Sequence, residues 1–121
     1  MPANALNAYK NNAVTTQTPG QIVVLLYEGA IRFLKQAIEA LEQKQYAEKG
    51  RLINRTIDII SELNAALDME KGGEVAVNLR KLYLFMQEHL LKANFQKSPE
   101  MVQEVITMLE ELHGGWKEIA A

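Results

Sequence analysis

Cysteine is absent from this 121-residue chain, so neither a disulfide framework nor a thiolate metal site can form, and the redox compartment stays open. Long apolar runs are absent too. Nowhere are there the roughly 20 consecutive apolar residues that a membrane span requires. Residues 1–14 lack the basic segment and the apolar stretch of a secretory signal. We therefore expect a single domain in the cytosol, with no membrane insertion.

A strong charge imbalance is missing as well. Thirteen basic and fifteen acidic residues give a net charge of -2, and no dense Lys/Arg block is present, so nucleic acid is not an expected partner. The chain contains no glycine-rich phosphate loop after a strand, no Gly-x-Ser-x-Gly motif and no cysteine nucleophile. These absences predict a protein that is not an enzyme and has no cofactor.

The apolar run at residues 22–27 is compatible with a buried strand or with a helix. The preceding Thr18-Pro19-Gly20-Gln21 fits a capping box with proline at the first helical position, which decides for a helix. We expect this helix to reach about Lys44. Its predicted core residues recur at helical spacing: Val23, Leu26, Ala30, Phe33, Ala37 and Leu41.

Three further helices follow with the same periodicity. The second is predicted from about Ala47 to Met69, the third from about Glu74 to Asn94, and the fourth from Ser98-Pro99 onward. Four helices of about 20 residues joined by short connections form antiparallel neighbours. The predicted fold class is therefore all-α, an antiparallel up-down four-helix bundle at residues 18–121, preceded by a flexible N-terminal arm at residues 1–17.

The helices carry more apolar residues than a bundle core requires, since a core-facing stripe is only a little over about 100° wide. A row on the third helix lies roughly opposite that helix's core row, on the side that should meet water. An aligned apolar row on an outer face suggests a partner. The alternatives are a wrong helix rotation, or contact with the N-terminal arm or a second copy. The candidate groove residues are Leu52, Ile59 and Ala66 on the second helix and Val77, Leu84 and Leu91 on the third.

Two motifs permit other chemistry. His89-Leu90-Leu91-Lys92 is similar to the His-x-x-Lys core of histidine phosphotransfer bundles, although the helical wheel places His89 at the edge of the core, where a half-buried structural histidine is expected. Glu110-x-x-His113 is half of the paired motif of ferritin-like di-iron bundles, and no second copy exists, so we expect no metal site.

The order of several segments resembles the FliS family of flagellar export chaperones over nearly the whole chain. The resemblance begins with Tyr9, Val14-x-Thr16-x-Thr18-Pro19 and Leu25-Leu26-Tyr27-Glu28-Gly29-Ala30. It continues with Ile59-Ile60-x-Glu62-Leu63, Gly72-Gly73-Glu74, Asn78-Leu79-x-x-Leu82-Tyr83, Leu90-x-x-Ala93-Asn94 and Trp116.

This resemblance implies a helical bundle that binds the C-terminal segment of flagellin, prevents its premature polymerisation in the cytoplasm and presents it to the flagellar type III export gate. It implies that Leu6 and Tyr9 in the arm contact the export gate protein, and that the arm can occupy the groove when flagellin is absent. A further flagellar regulatory protein is an open candidate partner.

The chain departs from the family just before the tryptophan, where the family has helix-favouring residues. Gly114 and Gly115 stand there instead. Inside a helix each glycine costs about 1 kcal/mol relative to alanine. We therefore expect the last turn to fray or to end early, which leaves the packing of Trp116 open.

Overall fold

The structure is a computed structural model that describes residues 19–120, with the side chains of residues 19–118. Four helices account for most of this part of the chain, and it contains no strand. The predicted all-α four-helix bundle is confirmed. The helices are α1 (Pro19–Glu42), α2 (Tyr46–Ala65), α3 (Gly73–Gln96) and α4 (Pro99–Ala120). Thr18, the predicted cap of α1, lies outside the described residues, as does the arm.

Each helix packs side by side with two neighbours, α1 and α3 each lying between α2 and α4. Contacts join the start of one helix to the end of the next. Glu28 in the first half of α1 contacts His113 in the second half of α4, and Lys49 near the start of α2 contacts Asn94 near the end of α3. Neighbouring helices are therefore antiparallel, as the short connections predict. None of the described helices combines the length and apolar composition needed to cross a membrane.

The connection between α2 and α3 begins earlier than the sequence predicts, because α2 ends at Ala65 and not near Met69. The Asp68 carboxylate accepts hydrogen bonds from the backbone N–H groups of Glu70 and Lys71, at 3.1 and 2.9 Å. Such local hydrogen bonds from a side chain to the backbone compete with the hydrogen bonds of a helix, and they favour a turn here. Gly73 then adopts a φ of +53°, which glycine tolerates best.

The start of α4 agrees with the sequence. Ser98 Oγ accepts a hydrogen bond from the backbone N–H of Met101 at 3.2 Å, which makes Ser98 the N-cap ahead of the first-turn Pro99. The end of α4 differs from expectation, because the helix continues without interruption through Gly114 and Gly115 to Ala120. Trp116 packs against the core directly after the two glycines, so tertiary contact compensates for their low helix propensity.

The core lies along the bundle axis, and on α1 it is rotated relative to the prediction. Tyr27 and Leu34 are fully buried, whereas Val23, Leu26 and Phe33 are only partly buried at its edge. Wide apolar stripes leave the helix rotation ambiguous in the sequence, and contacts with the neighbours decide it. The buried residues of α1 are Tyr27, Ala30, Leu34, Ala37, Ala40 and Leu41.

Two buried tyrosines join the diagonal helices α1 and α3. The hydroxyl oxygens of Tyr27 and Tyr83 lie 2.6 Å apart and share a hydrogen bond, and the ring centroids are 6.5 Å apart. Burial raises the pKa of both phenols, and for Tyr27 the hydrogen bond to Tyr83 raises it further, while the nearby Trp116 side chain acts in the opposite direction. Both hydroxyls are therefore protonated at every physiological pH, and each is satisfied by the other.

We expect Tyr27→Phe or Tyr83→Phe alone to lower the free energy of unfolding by about 1–3 kcal/mol, because each leaves one buried hydroxyl without a partner. The double variant should be destabilised by less than the sum of the two single effects, since it removes both hydroxyls. Urea denaturation of the four proteins measures this. Strictly additive effects would show that the hydrogen bond does not contribute.

Candidate interaction surface

The outer side of α3 carries most of the exposed apolar surface. Of the nine large apolar side chains that are exposed among the described residues, six belong to this helix. Leu84 is 51% and Phe95 is 88% exposed. At about 100° per residue, the row that contains them lies on the outer side of α3, roughly opposite the core. We call this surface the α3 face, which consists of Val77, Leu84, Phe85, Leu91 and Phe95.

The second predicted row does not join this face. Leu52 is only 2% exposed and belongs to the core, so its assignment to a surface groove is wrong. Ile59 is half-buried and faces α1, where its Cδ1 lies 3.7 Å from the position that a Cβ on Gly29 would take. Ala66 is exposed but follows the end of α2. The structure therefore brings Val77, Leu84 and Leu91 together on one helix face and separates them from the α2 row.

The seam between α2 and α3 is closed by polar contacts. Gln87 Nε2 donates to the Ile57 carbonyl oxygen at 3.1 Å and to Ser61 Oγ at 2.8 Å. Lys49 Nζ donates to the Asn94 carbonyl oxygen at 3.0 Å and also to the Asn94 side chain. Burial, and then the positive charge of Lys97, lower the pKa of Lys49. These contacts fix the rotation of α3 against α2.

On the other flank of α3, the Phe85 ring stacks on the His89 imidazole, with the ring centroids 5.1 Å apart and an angle of 21° between the planes. His89 Nε2 is buried without a hydrogen bond and lies 3.5 Å from a carboxylate oxygen of Glu104 on α4. A phosphotransfer histidine exposes its nucleophilic nitrogen to solvent, whereas Nε2 of His89 is buried. His89 instead supports Phe85, in agreement with the half-buried structural histidine that the wheel predicts.

An apolar hollow of about 250 Å³ lies where the start of α3 meets the end of α4. Sequence reasoning missed it, because its walls come from residues about 40 positions apart in the chain. The only signal was the unusual glycine pair beside the tryptophan. The lining residues are Val75, Leu79, Glu111, Leu112, Gly115 and Trp116.

The candidate metal residues take part in polar contacts between α1 and α4. His113 Nε2 lies 2.9 Å from a Glu28 carboxylate oxygen, and Lys35 Nζ lies 3.4 Å from Glu110. Within residues 19–120, no group of three or more potential ligands could hold a metal ion. Leu6 and Tyr9, the predicted export-gate contacts, lie outside the described residues.

The profile of the family described as "Flagellar protein FliS" matches residues 2–121 of this chain. The chain belongs to the FliS family. Three relatives agree with this assignment. The flagellar secretion chaperone FliS of Vibrio cholerae is 37% identical over 95% of this chain and 88% of its own length. The flagellar secretion chaperone FliSB of Pseudomonas aeruginosa is 38% identical over 96% of this chain and 95% of its own length. The flagellar secretion chaperone FliS of Salmonella typhimurium is 37% identical over 98% of this chain and 91% of its own length.

Membership in the FliS family confirms the resemblance seen in the sequence, and it assigns the chain a chaperone role in flagellar export. Such a role is not enzymatic and requires a surface that another protein can contact. The α3 face is the largest group of exposed apolar side chains in the described part of this FliS-family chain.

Two adjacent leucines on α3 test how the helix is rotated. Leu90 is fully buried, whereas Leu91 is 57% exposed. We expect Leu90→Ala to lower the free energy of unfolding by about 2–5 kcal/mol through loss of core packing. Leu91→Ala should change it by no more than about 1 kcal/mol. Urea denaturation of both variants measures the difference, and equal destabilisation would contradict the rotation described here.

Proposed function

We propose that this chain binds the C-terminal segment of flagellin on the α3 face, keeps it from polymerising in the cytoplasm and presents it to the flagellar export gate. The observation that carries the proposal is the aligned apolar row on the solvent side of α3. A large contiguous apolar patch on the surface of a small protein is usually an interaction site. The known family role requires such a site.

The dimensions of the α3 face suit a helical partner. Phe95 follows Val77 by 18 positions, a length of about 27 Å at the rise of an α-helix. An amphipathic segment of similar length can place its apolar stripe along this row, as in other helix-in-groove complexes. A cargo segment that is disordered before binding loses conformational entropy when it becomes helical, and burial of the apolar row compensates for this loss.

The charges beside the row favour a partner with acidic residues next to its apolar stripe. Arg80 and Lys81 are exposed on α3 between Val77 and Leu84, and neither forms an ion pair with a described residue. The other charged pair on the helix, Glu88 and Lys92, is already neutralised internally, with 3.6 Å between Nζ and the carboxylate oxygen. Arg80 and Lys81 therefore favour acidic residues on the partner beside this part of the row, although the exposed Glu74 in the first turn of α3 has the opposite charge.

The arm completes the proposal. Leu6 and Tyr9 are assigned to the export gate by the resemblance to the family, and the arm and flagellin compete for the same apolar surface. Binding of flagellin then releases the arm for the gate, which couples the two sites through one segment. A further flagellar regulatory protein that used the α3 face would compete with flagellin in the same way.

The first test is calorimetric titration with a peptide of the last several dozen residues of flagellin from the same source. Wild type should bind with a negative heat-capacity change, the signature of apolar burial. Leu84→Glu places a charge in the centre of the α3 face and should weaken binding by at least about tenfold, or about 1.4 kcal/mol. Gln36→Glu, an exposed position of α1, is the matched control and should bind as wild type does.

Absence of binding by the wild-type protein would contradict the function. Binding that survives Leu84→Glu would keep the function and remove the α3 face from it.

The arm is tested with Leu6→Ala combined with Tyr9→Ala in the full chain. We expect this variant to retain flagellin binding and to lose affinity for the export gate protein, because the substituted side chains contact the gate and not the cargo. Pull-down of purified gate protein by the chaperone–flagellin complex measures the effect. Unchanged affinity for both partners would remove the arm from the mechanism.

A further inference from the structure

Two lysines at the end of α3 carry positive charge that no described carboxylate neutralises. The Nζ atoms of Lys97 and Lys49 lie 4.3 and 5.8 Å from the centroid of the Tyr46 ring. Neither ammonium group forms an ion pair with a described residue. We call Tyr46, Lys49 and Lys97 the lysine cluster.

The acidic residues that are close to the lysine cluster in the chain are engaged elsewhere. Glu48 accepts a hydrogen bond from Arg51 Nε at 3.0 Å and forms an ion pair with the same guanidinium group. The Glu100 carboxylate accepts a hydrogen bond from Ser98 Oγ at 3.4 Å. The positive charge of the cluster is therefore left for a group outside the described residues.

Lys49 is the buried member of the cluster. It is only 5% exposed, and a lysine is rarely buried to this degree without a paired charge. Its Nζ donates to two oxygens of Asn94, which are neutral and leave its charge in place. Burial, and then the charge of Lys97, lower the pKa of Lys49, so its protonated form is disfavoured at this position. A negative charge brought beside the two amines would favour that form again.

Lys97 is the exposed member, and its backbone is unusual. It ends α3 with a φ of +54°, in the left-handed region that glycine adopts at the lowest cost. A non-glycine residue held in such a conformation is a reason to look for a role of its side chain. Here the side chain places its amine against the Tyr46 ring, in the same cluster as Lys49.

We propose that Lys97, held against Tyr46 and flanked by the charge of Lys49, forms an ion pair with an acidic side chain of the flagellin segment bound on the α3 face. This inference rests on the proposed function and adds to it the chemistry of the contact at one end of the row.

The lysine cluster adjoins the α3 face at Phe95, the last member of that face, which is 88% exposed. In the chain, Phe95 lies between Asn94, which binds Lys49, and Lys97. At about 100° per residue, Asn94 lies on the α2 flank of the row, so the cluster is beside the Phe95 end of the α3 face. A partner that covers Phe95 also excludes water near Lys97, and an ion pair is stronger where water is excluded.

Tyr46 positions the amine before a partner arrives. A cation is attracted to the face of an aromatic ring, and Tyr46 is itself 40% exposed at this end of the bundle. A side chain that is already positioned loses less rotamer freedom on binding, so more of the ion-pair energy contributes to affinity. An apolar or basic side chain at this place would leave the two like charges uncompensated, whereas a carboxylate compensates them.

Lys97→Gln and Lys117→Gln form a matched pair, since each removes one exposed positive charge and Lys117 lies at the opposite end of the bundle. Calorimetric titration with the C-terminal flagellin peptide should show binding weakened about fivefold or more by Lys97→Gln. Lys117→Gln should bind within about twofold of wild type. Raising the salt concentration from about 0.05 to about 0.5 M should weaken wild type more than Lys97→Gln, because salt screens the ion pair.

A second variant separates binding from stability. Lys97→Gly removes the amine and places the residue best suited to a left-handed φ at the end of α3. Its urea midpoint should equal or exceed that of wild type, while its peptide binding should be weakened as in Lys97→Gln.

Peptides in which each Asp or Glu is replaced in turn by Asn or Gln identify the partner side chain. One of them should bind wild type about fivefold more weakly and bind Lys97→Gln with no further loss, which is the non-additive behaviour of a contacting pair. A peptide with an amidated C-terminus should lose affinity equally for both proteins or for neither.

The outcomes separate the ion pair from the function. If the wild-type protein binds the peptide and both Lys97 variants bind equally well, the ion pair is wrong and the proposed function stands. If Lys97 couples to no acidic side chain of the peptide, or only to its terminal carboxylate, the proposal is overturned. If the wild-type protein does not bind the peptide, both the ion pair and the function fail.

Discussion

The buried hydrogen bond between Tyr27 and Tyr83 is the constraint on which the remaining arrangement depends. A buried hydroxyl without a partner is destabilising by about 1–3 kcal/mol, so α1 and α3 must turn these residues toward each other across the core. With Tyr83 directed inward, its neighbours Leu84 and Phe85 are directed outward. The rotation that satisfies the core therefore exposes the apolar row of the α3 face. Trp116, close to the same pair of tyrosines, connects the core to the hollow at the end of the bundle.

Polar and ionic contacts hold the sides of the bundle and leave the α3 face uncovered by the described residues. Gln87 and Lys49 join α3 to α2, and the contacts of Lys35 with Glu110 and of Glu28 with His113 join α1 to α4. Between α3 and α4 the packing is more apolar and includes the hollow. An exposed apolar row is a liability for a free protein because it promotes association. We propose that this chaperone carries it because the same row covers an apolar segment of the unassembled cargo.

The sequence predicts the features that follow from the geometry of a single helix. It does not predict those that depend on contact between helices or on a local turn. The row at Val77, Leu84 and Leu91 repeats every seven residues on one helix, so its common face follows from helical geometry alone. Leu52 was misplaced because α2 is apolar over a wide arc, and only contact with α1 and α3 decides which part of the arc is buried. The end of α2 was misplaced because the Asp68 turn competes locally with the helix. The hollow requires Val75 and Trp116 to meet, which depends on the packing of two helices and not on any local pattern.

Amide hydrogen exchange with and without the C-terminal flagellin segment tests the central claim most directly, because it locates the contact without substituting any residue. We expect slower exchange along α3 from Val77 to Phe95, with α1 little changed. Helices covered by a partner open less often, so their amides exchange more slowly. Protection confined to α1 and the adjoining side of α2, with α3 unaffected, would contradict the assignment of the α3 face as the cargo-binding surface.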